Sequence, residues 1–237
     1  MNQILILLLI LLTSFQSIAQ EDNLKVLLIT GGHDFDREVF FEMLDSFQNI
    51  EFTEILHPKA NDFWLGKYGD DFDLVLFYDM VQQITEEQKK GFEEKVESGI
   101  GLVFLHHSLP SYQDWEFYQQ VLGGRYVEPS TDNSNPSGYQ HDVRFNIQIT
   151  DSKHPITSGI KDFKVFDEIY INAPVNKNIH VLAKTDHPKS MNPVVWCQQI
   201  NPKSRSVYIQ PGHGPEVFSD KSYRKLVIES LIWAGFR

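Results

Sequence analysis

An α/β fold with a mainly parallel sheet, and a site at one edge of it, is predicted by two features of this 237-residue chain. Short apolar runs, several ending in Gly or in polar turn residues, alternate with amphipathic stretches of helical period through the first half. Three of these runs, LKVLLIT, GLVFL and SVYIQ, each deliver histidine at or just beyond the C-terminal end. In open parallel sheets the crevice outside the carboxyl ends of the strands is where ligands bind. The three histidines are therefore expected to converge on one site at that edge.

The elements follow in order. The apolar run Ile4 to Leu12, then Thr13 to Gln16 and the small residues of Ser17-Ile18-Ala19, reads as a cleaved export signal over residues 1–19. That run is too short to span a bilayer as a helix. Export to a periplasm or the extracellular space is expected, with no stable membrane span after cleavage. Residues 20–237 then form one α/β domain, long enough to bury a core without staples. The single cysteine, Cys197, excludes an intramolecular disulfide and sits in the apolar run PVVWC as a buried small hydrophobe. A net charge of −11 argues against nucleic acid and anionic membranes as partners.

Strands are expected at 24–30, 52–56, 73–78, 101–106, 143–149, 165–171, 181–184, 194–196 and 206–210. Helices are expected at 36–45, 85–98, 115–122 and 223–233. Thr85 with Gln88 forms a capping box, and Gly99 is the stop. Residues 123–140 lose all periodicity and read as an active-site loop carrying Arg125, Tyr126 and Tyr139.

The chemistry rests on histidines and one acidic pair. His33 follows Gly31-Gly32, and His213 lies between Gly212 and Gly214, where glycines permit a tight turn. His106 and His107 leave one strand in succession; alternation sends them to opposite sides unless the chain turns sharply. His106 is thus expected to face the crevice and His107 to support it or touch substrate. Asp167-Glu168 interrupts the apolar segment KVFDEIYI, where a buried carboxylate needs a partner or a cation. Glu168 is a candidate acid/base, as is His141 at the end of the long loop. His57, His154 and His187 precede prolines and read as turn residues; His180 shows no nearby partner.

Several imidazoles with carboxylates suit zinc, manganese, iron, nickel or cobalt, and His33, His106 and His213 are the candidate ligands. A metal-free acid/base pocket fits the same residues. No nucleotide cofactor is expected, because GGHDF is not G-x-G-x-x-G and no P-loop occurs. No Gly-x-Ser-x-Gly or Gly-x-Cys-x-Gly elbow accompanies GLVFLHHSLPS.

The segments ITGGHDF, SGIGLVFLHHSL, VLGGRY, HPITSGIKDFKVFDEIY, PVVW, VYIQPGHG and ESLIWAG, in this order, resemble the trehalose-utilisation (ThuA-like) family across 24–235. The resemblance implies a flavodoxin-like doubly wound fold of the class I glutamine amidotransferase kind. His106-His107 stand where that class carries its nucleophile, so amidotransferase activity is not implied. It also implies a small-molecule carbohydrate or 3-keto-sugar substrate, with His33, His106, Glu168 and His213 at the matching positions. A sugar-processing hydrolase, lyase or isomerase is the expectation. The alternative is a non-catalytic carbohydrate-binding protein in which Trp115, Tyr126 and Tyr139 stack on sugars.

Overall fold

The computed structural model describes residues 23–129 and 135–235. The export signal expected over 1–19 lies outside the described residues. Nine strands form one sheet in the order β2-β1-β3-β4-β9-β8-β7-β5-β6. β1 (Leu24–Gly31), β2 (Ile50–Leu56), β3 (Leu74–Asp79), β4 (Gly101–Leu105) and β9 (Arg205–Ile209) pair in parallel. β5 (Gly138–Ile149), β6 (Phe163–Ile171), β7 (His180–Thr185) and β8 (Val195–Gln199) extend the sheet beyond β9 with antiparallel pairings only. The sheet is thus a parallel half that carries the β-α alternation and an antiparallel half whose strands are joined without an α-helix between them.

Alternation along the central strands splits the core into two layers. Val26, Leu28, Leu74, Leu76 and Val103 face one side, packed by Phe40, Met43 and Leu44 of α1 (Arg37–Asp45) and by Leu226, Val227 and Leu231 of α5 (Lys221–Gly235). Leu27, Ile29, Val75, Phe77, Leu102 and Phe104 face the other, covered by Phe92 and Val96 of α2 (Glu86–Ser98) and Tyr118, Val121 and Leu122 of α3 (Glu116–Leu122). Both faces of β1, β3 and β4 are buried, which is why those strands read as unbroken apolar runs, whereas the edge strand β2 alternates. The capping box of Thr85 and Gln88 forms as expected, and Gly99 takes the left-handed conformation that ends α2.

Trp196 of β8 is fully buried, donates from Nε1 to the Leu122 carbonyl at 2.8 Å and packs on Tyr208. It ties α3 to the seam between the two halves of the sheet. Trp196→Ala is expected to cost about 3–5 kcal/mol, read as a lowered midpoint in chemical denaturation.

Two histidines expected as turn or unpartnered residues differ. His57 Nε2 lies 2.9 Å from Asp79 Oδ2, with both side chains almost wholly buried. His180 Nε2 lies 2.9 Å from Asp151 Oδ2. Neither partner is near in sequence, so no local signal announced them.

Candidate active site

The site is assembled at the carboxyl edge of β1, β4 and β9, closed on one side by β5 and β6. After β4 the chain does turn sharply: His106 has φ 36° and opens a 3-10 turn, His106–Ser108. This departure from strand geometry cancels the alternation and brings both His106 and His107 inward, where both are buried. The turn is held by Ser108, whose hydroxyl reaches the Phe77 carbonyl at 3.0 Å and Asp79 Oδ1 at 3.2 Å. Tyr208 donates to the His106 carbonyl at 3.2 Å.

His213 is presented by the loop after β9. Gly212 sits at φ 142°, and a Cβ there would lie 2.6 Å from the Tyr223 hydroxyl, so conformation and space both require glycine. The loop amides of Gly212, His213 and Gly214 all donate to the Asp167 carboxylate, at 2.6, 3.0 and 3.0 Å. Asp167 is therefore the anchor of the His213 loop. The sequence marked the Asp167-Glu168 pair as unusual but not this task. Burial pushes the Asp167 carboxyl above the ordinary range, against the opposing pull of His106 and the Gly212 and Gly214 amides.

Glu168, also buried, stands at the centre. Its Oε1 is 3.4 Å from His106 Nε2, and its Oε2 is 2.8 Å from His141 Nδ1 and 3.4 Å from His213 Nδ1. Burial works to raise its pKa, yet His106, His213 and His141 outweigh that and hold the carboxyl below its usual value. His141 lies on β5 at a register break between Gln140 and Val143, with Asp142 at φ 58°. Such a bulge re-aims a side chain, and here the imidazole reaches Glu168 while remaining half-exposed.

The His106 ring is oriented by its Nδ1, which is hydrogen-bonded to the Gln210 carbonyl. A carbonyl only accepts, so Nδ1 carries the proton and the neutral ring has its lone pair on Nε2. That lone pair faces a carboxylate oxygen, a repulsive arrangement unless a proton or a cation lies there. Fittingly, Nε2 has no hydrogen-bond partner among the described residues. Burial lowers the His106 pKa, but Glu168, Asp167 and the Gln210 carbonyl together raise it above the ordinary value.

His107 Nε2 lies 3.2 Å from His213 Nδ1. Two nitrogens on one tetrahedral zinc, with bonds of about 2.0–2.1 Å, are about 3.3–3.4 Å apart. The ligand atoms of His106, His107 and His213 form one convergent group; those of His141, Glu168 and His213 form a second that overlaps it. His33 stands outside both. Its exposed ring stacks on His107 with centroids 3.9 Å apart. The geometry thus exchanges two expectations: His107 is the third converging nitrogen, and His33 is a wall of the cavity. Strand alternation alone would turn only one of the two histidines inward; the sharp turn at His106 brings in both.

A cavity of about 220 Å³ opens onto this cluster, lined by His33, His107, Tyr126, Tyr139, His141, Glu168 and Tyr170, among others. Tyr126 and Tyr139 are placed where a substrate-contacting role requires. Arg125 and Trp115 are not. Arg125 is exposed and lines a separate surface groove with Gln113, Glu116 and Asn176. Trp115 is buried against Phe92, Tyr112 and Tyr118 as a core residue. Cys197 is buried on β8, with its thiol pushed up to about 12 by burial, and belongs to neither convergent group.

The imidazoles also set how stability depends on pH in the cation-free protein. Burial first, then His106, lowers His213 to about 4. Burial and the neighbouring histidines hold His107 well below its usual value. Below the unfolded value of 6.5 the unfolded chain binds more protons at these two positions, so their effect is a loss of stability as pH falls from 6.5 towards 4. His106 acts oppositely: its contribution is complete below 6.5 and is lost as pH rises through its raised folded value. Between pH 6.5 and 4 the His106 contribution is constant, so the two lowered histidines set the trend and the denaturation midpoint is expected to drop. His213→Asn should show a smaller drop over the same range.

An α/β sheet with a histidine–carboxylate cluster, rather than a thiol, at the turn after β4 defines an amidotransferase-like fold with different site chemistry. The chain belongs to the ThuA family, described as trehalose utilisation, whose model matches residues 25–234. A ThuA-like protein of Parabacteroides merdae has a similar structure, with TM-score 0.74 and 18% identity, covering 90% of each chain. The PurLQS structure of Thermotoga maritima matches with TM-score 0.56 and 11% identity over 89% of this chain and 99% of that one. At such identities the likeness shows the fold, which is that of the class I glutamine amidotransferases. Among curated proteins, Probable polyketide synthase 5 of Dictyostelium discoideum is 23% identical over 190 residues. The match covers 73% of this chain and only 7% of that protein's length.

Proposed function

We propose that this chain is an exported enzyme of carbohydrate utilisation that acts on a sugar or 3-keto-sugar derivative with help from one divalent cation. The observation that carries the reading is the convergence of His106, His107 and His213, with His106 Nε2 buried, without a hydrogen-bond partner among the described residues, and 3.4 Å from Glu168 Oε1. Three imidazoles, with His107 on the wall of the cavity, are a donor set suited to a catalytic ion, zinc, manganese, iron, nickel or cobalt. Export rests on the signal read over residues 1–19, with its apolar run Ile4 to Leu12, and the sugar on the family's trehalose-utilisation description.

A cation bound there would stabilise negative charge developing on a substrate oxygen. The remaining work falls to the chain. Glu168, ionised and 2.8 Å from His141, is placed to accept a proton from a carbon next to a keto group. His141, half-exposed, hands that proton on to solvent or back to a neighbouring carbon or leaving oxygen. Gln210 holds His106 in one tautomer, and Asp167 holds the loop of His213. Proton removal beside a 3-keto group leads to elimination of a glycosidic oxygen or to isomerisation.

A panel of 3-keto-glycosides tests this. Turnover by the wild type is expected to be lost on chelation and to fall by about 10²–10⁴-fold in Glu168→Gln. A second reading, sugar binding without turnover, is favoured by one feature: Tyr139 is 59% exposed at the cavity rim, beside His141. Binding that survives chelation with no turnover would select it.

A further inference from the structure

Five buried tyrosines beneath or beside the site divide sharply by what their hydroxyls do. Tyr78 donates to the Gly212 carbonyl, Tyr118 to the Ser108 carbonyl and Tyr208 to the His106 carbonyl. Each of these pins a loop that carries a site histidine. Tyr223 and Tyr170 have no hydrogen-bond partner among the described residues. The Tyr223 hydroxyl abuts Gly212 and is not on the cavity wall. Tyr170, only 3% exposed, is on that wall.

Its placement follows from the strand. Glu168 and Tyr170 are two residues apart on β6 and so share one face of the sheet. The Tyr170 ring stacks on His106, with centroids 4.7 Å apart and an interplanar angle of 18°, and meets Tyr126 edge-on. Burying an unpaired hydroxyl costs about 1–3 kcal/mol, and a phenylalanine would fill the same space without that cost. A tyrosine is explained if the hydroxyl finds its partner in whatever occupies the cavity.

We propose that Tyr170 is the neutral hydrogen-bond donor that holds the substrate's keto oxygen beside Glu168 and His106. This rests on the keto-sugar reading above. As Glu168 takes the proton from the adjacent carbon, the C–H electron pair forms the new C=C bond and the carbonyl π pair moves onto oxygen. Tyr170 donates its O–H to that oxygen and keeps its proton, as an oxyanion-hole donor does. The phenol does not titrate near neutral pH, so the donor is present throughout the working range.

The test is Tyr170→Phe, assayed with methyl 3-keto-α- and β-glucosides and compared with wild type for cation content, denaturation midpoint and steady-state kinetics. The expected result is kcat lowered about tenfold to a thousandfold, cation content unchanged, and a midpoint equal to or above that of wild type. A merely structural tyrosine would instead lower the midpoint and leave kcat of the folded fraction intact. That outcome, or kcat within twofold of wild type, overturns the assignment of Tyr170 alone. A wild type that neither binds nor turns over these glucosides overturns the keto-sugar reading, and the role of Tyr170 with it.

Discussion

Replacing His107 with alanine is expected to lower cation affinity by about a hundredfold or more, whereas His33→Ala should leave it within about threefold. The first figure is the upper end of what loss of a mere supporting group costs, and a lost ligand exceeds it. The contrast is informative because both residues touch the same cavity and stack on each other. Only His107 brings a nitrogen to within 3.2 Å of His213 Nδ1. His33 spends Nδ1 on its neighbour's carbonyl and lies outside both converging groups. Its loss removes a stacking face and some substrate contact. Titration of each variant with zinc or cobalt, followed by calorimetry or by the cobalt absorption band, separates the two. Equal losses in both variants would mean that the ion sits nearer β1 than the geometry implies.

Asp167→Asn is expected to be the most damaging single change near the site. The carboxylate accepts three successive backbone N–H groups, from Gly212, His213 and Gly214, and is almost wholly buried. An amide presents one acceptor oxygen and turns an NH₂ group towards donors. At least one loop N–H is then left buried and unpaired. A cost of about 2–5 kcal/mol follows from losing charge-assisted bonds in a buried setting. The loop that relaxes carries His213, so cation affinity should also fall by about 10–100-fold, the scale seen when a ligand loses its support. The denaturation midpoint and cation titration should move together. Asp167→Glu, which keeps the charge but overfills the space, should recover neither fully. An Asp167→Asn protein with wild-type stability would show that the loop is held by other means.

Much of the fold was legible because each local signal was strong. The apolar runs of β1, β3 and β4 are buried on both faces, and α2 carries its own cap and stop. The antiparallel half was found as strands but not as a pairing pattern. β7, β8 and β9 are five or six residues long, and the β7–β8 connection is too long for a two-residue hairpin signature. α4 (Pro215–Ser219) escaped because five residues show no helical period. Of the site, the edge of the sheet and His106, His213, His141 and Glu168 were read correctly as neighbours. That His107 also turns inward depended on a sharp turn after β4, which the positive φ of His106 supplies and no local sequence signal announced. Tyr170 was within reach, since period-two spacing from Glu168 puts it on the same face. Asp167 was not, because its partners lie 45 to 47 residues away. Trp115 and Arg125 show the converse failure. Their residue types fit sugar recognition, but α3 turns Trp115 into the core and Arg125 lines another groove.

The most direct test of the central claim is elemental analysis of the purified protein after equilibration with zinc, manganese, iron, nickel or cobalt, beside His106→Ala and His213→Ala. One equivalent of a single ion per chain, lost in both variants while each remains folded, is the predicted result. No ion retained by the wild type under any of these conditions, or equal retention by both variants, would contradict a shared histidine centre.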